Sequence, residues 1–164
     1  MKMSRPEQIT YIDHAATIIS IAAALNAQGE RYALITSIAI KGGAARDVGS
    51  LALVDARGEM FGYLSNGCID RDVRLRALDA LSSGDKQVVR YGEGSKFMDL
   101  TLPCGGSLTI LIDPCPDFEA LNRAAKSLSQ RQPAELSFVT DGQTKDQFRF
   151  KYAPILRIAL AGRG

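Results

Sequence analysis

The 164-residue chain is poor in the side chains that build disulfide frameworks and zinc sites. It contains three cysteines, Cys68, Cys104 and Cys115, and a single histidine, His14. An odd and small number of cysteines, without a Cys-x-x-Cys pair, argues against a disulfide framework and favours reduced thiols, as expected in the cytoplasm. One histidine leaves a conventional zinc site short of ligands, so we expect no such metal site.

An excess of charge of one sign is also lacking. The 20 basic and 18 acidic residues give a net charge of +2, which provides no driving force toward nucleic acid or an anionic membrane. No uncharged apolar run reaches the ~18 residues that a membrane-spanning helix needs. The apolar stretch "AATIISIAAAL" follows Glu7 and Asp13, so we expect a helix ending at Gly29 rather than a signal peptide.

Strand-like and helix-like segments alternate along the chain. Apolar residues recur at helical spacing after Asp13, the expected N-cap of the first helix, and β-branched runs predict buried strands. The predicted helices are 13–28, 69–82 and a third between Asp117 and Pro133, and the predicted strands are 32–40, 50–55, 59–65, 86–91, 107–113, 134–142 and 146–152. This order predicts an α/β (or α+β) domain with a mixed sheet and flanking helices.

Cys68 lies in "SNGCID", where a strand is expected to end and the second helix to begin. Unpaired N–H groups at a helix N-terminus carry partial positive charge, which favours a thiolate. Gly67 lets the backbone adopt a left-handed or crowded conformation and present N–H groups to a ligand. The pattern suits a soft nucleophile, a soft metal ligand or an anion held by amides, and a small buried packing residue is the alternative.

Cys104 is the second glycine-flanked cysteine, in "LPCGG". Pro103 restricts the backbone on one side, while Gly105 and Gly106 free it on the other. A bend in a strand is the alternative interpretation. Two such motifs favour a common site for the two thiols. Cys115, between two prolines, is interpreted as incidental.

The loop "KGGAARDVG", residues 41–49, carries Lys41 and Arg46 beside flexible glycines. Such a loop can hold a phosphate or another oxyanion. It lacks the Gly-Lys-Ser/Thr of a P-loop, so a solvated surface loop is the favoured alternative. Asp70 and Asp72 are expected to complement the dipole of the second helix. His14 is expected on the surface rather than in a Cys–His hydrolase, and no catalytic residue is predicted.

The terminal stretch "LRIALAGRG" has the form of a strand running into Gly-x-Gly, as at the start of a dinucleotide-binding βαβ unit. No third glycine, helix or acidic residue follows, so NAD(P) binding is not expected from these residues. Residues 155–161 are therefore predicted to be the first strand of a further Rossmann-like domain, or an edge strand of this one.

Two long stretches together resemble a known family. "GGAARDVGSLALVDARGEMFGYLSNGCIDRDV" followed by "DLTLPCGGSLTILIDP" resembles the N-terminal domain of the XdhC/CoxI family, the xanthine dehydrogenase accessory factors. That family has a Ser-Gly-Gly-Cys-[Val/Leu]-Glu turn and a later Leu-x-Cys-Gly-Gly strand entry. The order and separation of the two motifs match, although Asn66 stands where the family favours glycine and Asp70 where it favours glutamate.

The resemblance implies a cytoplasmic accessory protein rather than an enzyme. Members of the family are thought to bind molybdenum cofactor (molybdopterin) and to assist its sulfuration and insertion into a xanthine-dehydrogenase-like or CO-dehydrogenase-like molybdenum hydroxylase. The implied partners are that apoenzyme, a cysteine desulfurase and further copies of the chain. Cys68 and Cys104 would handle the cofactor. The other implied cofactor-binding residues are Gly67, Gly105, Gly106 and Arg46, the last as a partner of the pterin phosphate.

The resemblance also divides the chain. Residues 13–115 would form the XdhC/CoxI-like N-terminal domain, 116–154 its C-terminal extension, and 155–164 the start of a truncated Rossmann-like domain. Two alternatives stay open on the residues alone. The terminal Gly-x-Gly favours a truncated NAD(P)-dependent oxidoreductase, and the cysteines Cys68 and Cys104 are compatible with a dithiol redox protein.

Overall fold

The computed structural model describes residues 8–93, 102, 105–141, 145–159 and 161–162. Within these ranges the chain forms three helices and eight strands. The helices are α1 (Ala15–Gln28), α2 (Asp70–Ser83) and α3 (Phe118–Ser129), and the strands are β1 (Ile9–Thr10), β2 (Tyr32–Lys41), β3 (Leu51–Asp55), β4 (Met60–Phe61), β5 (Gln87–Gly92), β6 (Ser107–Asp113), β7 (Ala134–Val139) and β8 (Gln147–Tyr152). No helix in this part of the chain is long and apolar enough to cross a membrane.

Six strands form a mixed sheet in the order β1-β4-β3-β2-β6-β5. Neighbouring strands pair antiparallel, except that β1 runs parallel to β4. The predicted fold class, a mixed sheet with flanking helices, is confirmed. Strand β1 was not predicted, because a strand of two residues has no periodicity from which it could be recognised.

The central strands are apolar on both faces because helices cover both faces of the sheet. Along β2, Tyr32 and Leu34 join a core beneath α1 and α3, whereas Ala33 and Ile35 join a second core beneath α2. Successive side chains of a strand point to opposite faces of the sheet. A continuous apolar run therefore has its alternate residues buried in the two cores on either side. This confirms the buried strand predicted at 32–40.

Helix α1 begins one residue after His14, and His14 rather than Asp13 is its N-cap. The imidazole Nδ1 of His14 accepts a hydrogen bond from the backbone N–H of Ala16 at 3.2 Å. A cap needs only an acceptor in this position, which a neutral imidazole supplies. The assignment of Asp13 as N-cap was therefore wrong: its carboxylate accepts a hydrogen bond from the Tyr63 hydroxyl instead. The predicted end at Gly29, which adopts φ +67°, is confirmed.

Helix α3 and the β7–β8 hairpin complete one side of the molecule. The carboxylate of Asp117 caps α3 by accepting from the N–H of Ala120 at 2.9 Å, as predicted. Strands β7 and β8 pair antiparallel in a second, two-stranded sheet that packs on α3. Their inward side chains Leu136, Phe138 and Tyr152 extend the core beneath α1 and α3.

The stretch 153–159 contains no strand. Arg131 donates a hydrogen bond to the carbonyl of Ile155, while the side chains of Leu156 and Ile158 are 77% and 74% exposed. The interpretation of 155–161 as an edge strand of this domain is therefore wrong for the described residues 155–159, because their backbone pairs with no strand of either sheet. The interpretation as the first strand of a further domain stays a prediction, as do the domain boundaries.

Candidate functional site

Three segments that are distant in sequence meet at one end of the central sheet. Strand β2 ends at Lys41 and β6 begins at Ser107, and these two residues are partners across the sheet. The glycine-rich loop after β2 and the chain entering β6 therefore lie side by side. The turn between β4 and α2, which carries Cys68, closes the third side. Together these segments enclose a cavity of about 450 Å³, lined by Gly43, Ala44, Ala45, Leu64, Ser65, Asn66, Cys68, Leu102 and Leu108.

Close backbone contact between the first two segments requires Gly106. A Cβ placed on Gly106 would lie 2.5 Å from the carbonyl oxygen of Gly43 and 2.6 Å from that of Lys41. Gly106 also lies close to Gly42: a Cβ added to Gly42 would lie 3.1 Å from the Gly106 Cα. The predicted role of Gly106 in shaping this region thus has a steric basis: the two loops can approach only without side chains.

Cys68 is exposed and carries a free thiol. It lies two residues before Asp70, the first residue of α2, and lines the cavity. Its exposure excludes the alternative that Cys68 is a small packing residue of the core. Gly67 beside it adopts φ +93°, and a Cβ added to it would meet nothing within 4 Å, so glycine is required by the backbone conformation rather than by crowding.

The carboxylate of Asp70 organises the turn that carries Cys68. Asp70 is fully buried, and its Oδ1 accepts hydrogen bonds from the backbone N–H groups of Leu64 at 2.8 Å and Ser65 at 3.2 Å. Its Oδ2 accepts from the Ser65 hydroxyl at 2.9 Å and from the N–H of Gly67 at 3.0 Å. The Ser65 Oγ in turn accepts from the N–H of Ile69 at 3.1 Å. Asp70 thus does more than complement the helix dipole, a role that sequence reasoning missed.

Cys104 and Pro103 lie outside the described residues. Leu102, two positions before Cys104, is buried and lines the same cavity as Cys68. Gly105, one position after it, adopts φ +69°, and a Cβ added there would lie in open space. The convergence of Cys68 and Cys104 on one site stays a prediction.

Arg46 lies on the other side of the glycine-rich loop. Its side chain is only 9% exposed and is held from several directions. Its Nη1 donates to the carbonyl of Ile12 at 3.1 Å, its Nη2 donates to the carbonyl of Asp13, and its guanidinium stacks 4.6 Å above the ring of Tyr63. In the structure Arg46 thus fastens this loop to the chain before α1. Its contact with a pterin phosphate stays a prediction.

A second cavity, of about 440 Å³, adjoins Arg46 and shares the wall residue Ala45 with the Cys68 cavity. Its polar lining includes His14, Asp47, Tyr63 and Lys151. The hydrogen bond to Asp13 raises the pKa of Tyr63 above its ordinary value, because the neighbouring carboxylate disfavours the tyrosinate. Sequence reasoning placed Lys41 with Arg46, but Lys41 is exposed and pairs with Glu93 at 3.5 Å.

Comparison with known proteins finds a family match for the region around Cys68. Residues 25–92 match the model of the XdhC and CoxI family. The resemblance to this family that is seen in the sequence is thereby confirmed over these residues, which include the glycine-rich loop and the Cys68 turn.

Two further comparisons cover more of the chain. It is 30% identical to the molybdenum cofactor insertion chaperone PaoD of Escherichia coli (strain K12), over 97% of this chain and 54% of that protein. Its fold resembles a crystal structure of a xanthine dehydrogenase from Bacillus halodurans, with a TM-score of 0.64 and 19% identity over 83% of this chain and 52% of that one. The chain thus spans about half the length of each of these proteins.

Proposed function

We propose that this chain binds molybdenum cofactor as cargo and assists its insertion into a molybdenum hydroxylase apoenzyme. The observation that carries the proposal is the exposed Cys68 thiol at the wall of a cavity built from three glycine-rich or apolar segments. The similarity to a molybdenum cofactor insertion chaperone supports the choice of cargo. The chain acts as a binding and delivery protein rather than as an enzyme.

The chemistry of the cavity suits this cargo. A cysteine sulfur is a soft ligand, suited to a metal centre that is already bound through sulfur. The walls beside it are the small or apolar side chains of Ala44, Ala45, Leu64, Leu102 and Leu108, which can pack against a planar ring system. A volume of about 450 Å³ is in the range of small-molecule and cofactor sites.

The finer parts of the proposal rest on the resemblance to the XdhC and CoxI family. Cys104 acts with Cys68 on the cofactor, Gly67, Gly105 and Gly106 shape the loops around it, and sulfuration precedes insertion. The partners are a xanthine-dehydrogenase-like or CO-dehydrogenase-like apoenzyme and a cysteine desulfurase, and the location is the cytoplasm.

The test compares molybdenum binding by variants of the three cysteines. Purified protein is mixed with molybdenum cofactor, and bound molybdenum is counted by mass spectrometry after gel filtration. We expect Cys68→Ala to weaken binding about tenfold or more, equivalent to ~1.4 kcal/mol. Cys115→Ala is the control, because Cys115 is also exposed but lies outside the cavity. Equal binding by wild type, Cys68→Ala and Cys104→Ala would show that the thiols are not the site.

A further inference from the structure

Four backbone donors of the Cys68 turn are already occupied by two side chains of the same turn, Asp70 and Ser65. The Asp70 carboxylate accepts hydrogen bonds from the N–H groups of Leu64, Ser65 and Gly67. The Ser65 Oγ accepts one from the N–H of Ile69. Consecutive N–H groups ahead of a helix commonly bind an external anion such as a phosphate. Here a buried carboxylate fills that position, and it is fully shielded from solvent.

A second observation points the same way. The side chains that face the cavity next to Cys68 are predominantly small or apolar: Ala44, Ala45, Leu64, Leu102 and Leu108. The basic side chain closest along the glycine-rich loop, Arg46, lines the neighbouring cavity rather than this one. The polar side chains of the lining are Asn66 and Ser65, whose hydroxyl is bonded to Asp70, and none of the described lining residues is basic. A phosphate placed beside Cys68 would therefore meet a buried negative charge without a basic partner among these residues, which makes its desolvation costly.

We propose that Asp70 acts as a built-in anion that positions the Cys68 turn and excludes phosphate from it, so that this cavity selects the uncharged or sulfur-rich end of a ligand. The inference rests on the proposed cofactor binding for the identity of the ligand. It assigns the anionic end of that ligand to a place away from the Cys68 turn. Asp70 is a positioning and specificity residue, since its oxygens are bonded to the turn itself.

The first test uses the wild-type protein without cofactor. Inorganic phosphate is titrated into ¹⁵N-labelled protein, and the amide signals of Leu64, Ser65 and Gly67 are followed by NMR. We expect no saturable shift at millimolar phosphate, because the three donors are bonded to Asp70. A saturable shift of these three signals would overturn the proposal.

The second test measures charge selection at the thiol itself. Cys68 is alkylated with neutral iodoacetamide or anionic iodoacetate, and peptide mass spectrometry separates its rate from those of Cys104 and Cys115. A change in the accessibility of Cys68 affects iodoacetamide and iodoacetate alike, so it cancels in the ratio of the two alkylation rates. We expect Asp70→Asn to lower the preference for the neutral reagent about threefold, the effect of removing one nearby charge in a partly solvated site. Asp70→Glu, which keeps the charge, should retain the wild-type ratio.

Asp79→Asn is the matched control for this measurement. It removes the same charge from an exposed position of the same helix, so it should leave the ratio unchanged. Equal ratios in wild type and Asp70→Asn would overturn the charge-selection proposal. If Asp70→Asn does not fold, the phosphate titration of the wild type still decides. Neither test uses molybdenum cofactor, so their failure is distinguishable from failure of the cofactor-binding proposal.

Discussion

Buried aspartates shape the turns of this domain. Asp55 is 2% exposed, and its Oδ1 accepts hydrogen bonds from the N–H groups of Arg57 and Glu59, both at 2.9 Å. Asp113 similarly accepts from the N–H of Cys115 at 3.0 Å. Asp70 does the same for the turn of Cys68. A short carboxylate with a glycine or proline within a few positions is a signal for such turns, and this signal could have identified Asp70 in the sequence.

Gly106→Ala tests the close approach of two loops at the residue scale. The added methyl group would meet two backbone carbonyls at 2.5 and 2.6 Å, and backbone cannot yield as a flexible side chain can. We expect the free energy of unfolding to fall by about 1–3 kcal/mol, the usual cost of overpacking. Urea denaturation followed by circular dichroism measures the change.

Gly162→Ala is the control for that substitution. Nothing lies within 4 Å of a Cβ at Gly162, so its effect on stability should be within about 0.5 kcal/mol. Equal stability of Gly106→Ala and wild type would mean that the two loops do not approach as closely as the structure has them.

At the scale of elements, α3 is held to the domain by one apolar face. Its buried residues Leu121, Ala124 and Leu128 recur at helical spacing and pack with α1 and the β7–β8 hairpin. The opposite face is exposed and carries Arg123 and Glu119, paired at 3.6 Å. An exposed pair of this kind contributes little, so packing of the apolar face supplies most of the stability of α3.

Leu121→Ala tests this contribution. Leu121 is 2% exposed, and its truncation leaves a cavity between α3 and its neighbours, so we expect a loss of about 2–5 kcal/mol of unfolding free energy. Leu75→Ala makes the same chemical change on α2, where the side chain is 47% exposed, and should cost far less. Thermal unfolding of the two variants gives the comparison. Similar losses in both would contradict the assignment of Leu121 to the core.

At the scale of the whole molecule, tyrosines are buried in both cores. Tyr32 and Tyr152 lie beneath α1 and α3, and Tyr91 lies beneath α2. Burial raises the pKa of each above the ordinary tyrosine value, because the tyrosinate would have to leave water. For Tyr91, the hydrogen bond that it donates to Asp72 at 2.7 Å raises the pKa further.

These pKa shifts predict a loss of stability in alkali. Below a pH of about 10 both folded and unfolded tyrosines are protonated, so the contribution is fully present. As the pH rises above about 10, the unfolded chain loses protons that the folded chain keeps, and the free energy of unfolding falls. Denaturant unfolding measured at a series of pH values gives the dependence.

Tyr152→Phe isolates one of these groups. Its hydroxyl donates to the carbonyl of Gly49 at 2.9 Å, so we expect a loss of about 1 kcal/mol at neutral pH. Above a pH of about 10 the variant should lose stability less steeply than wild type, because one titrating group is gone. The same slope in both proteins would mean that Tyr152 does not contribute to the alkaline transition.

The sequence by itself determined most of the helices and strands and the family resemblance. Helical spacing, continuous apolar runs and glycine or proline punctuation act over a few residues, so they predicted α1 to α3 and the strands β2, β3 and β5 to β8, whereas the strand predicted at 59–65 is only Met60–Phe61. The spacing of the glycine-flanked cysteine motifs carried the resemblance. At the start of α1 the local rule favoured Asp13 as the N-cap, whereas the structure has His14 in that position.

Only the tertiary structure decided what lies around Cys68. Strand order and register bring Lys41 beside Ser107, and so bring the glycine-rich loop to the chain entering β6, although the two are far apart in sequence. The same packing turns Arg46 away from the Cys68 cavity and buries Asp70 beneath the Cys68 turn. Such contacts depend on pairing between distant strands and on burial, which local spacing does not encode.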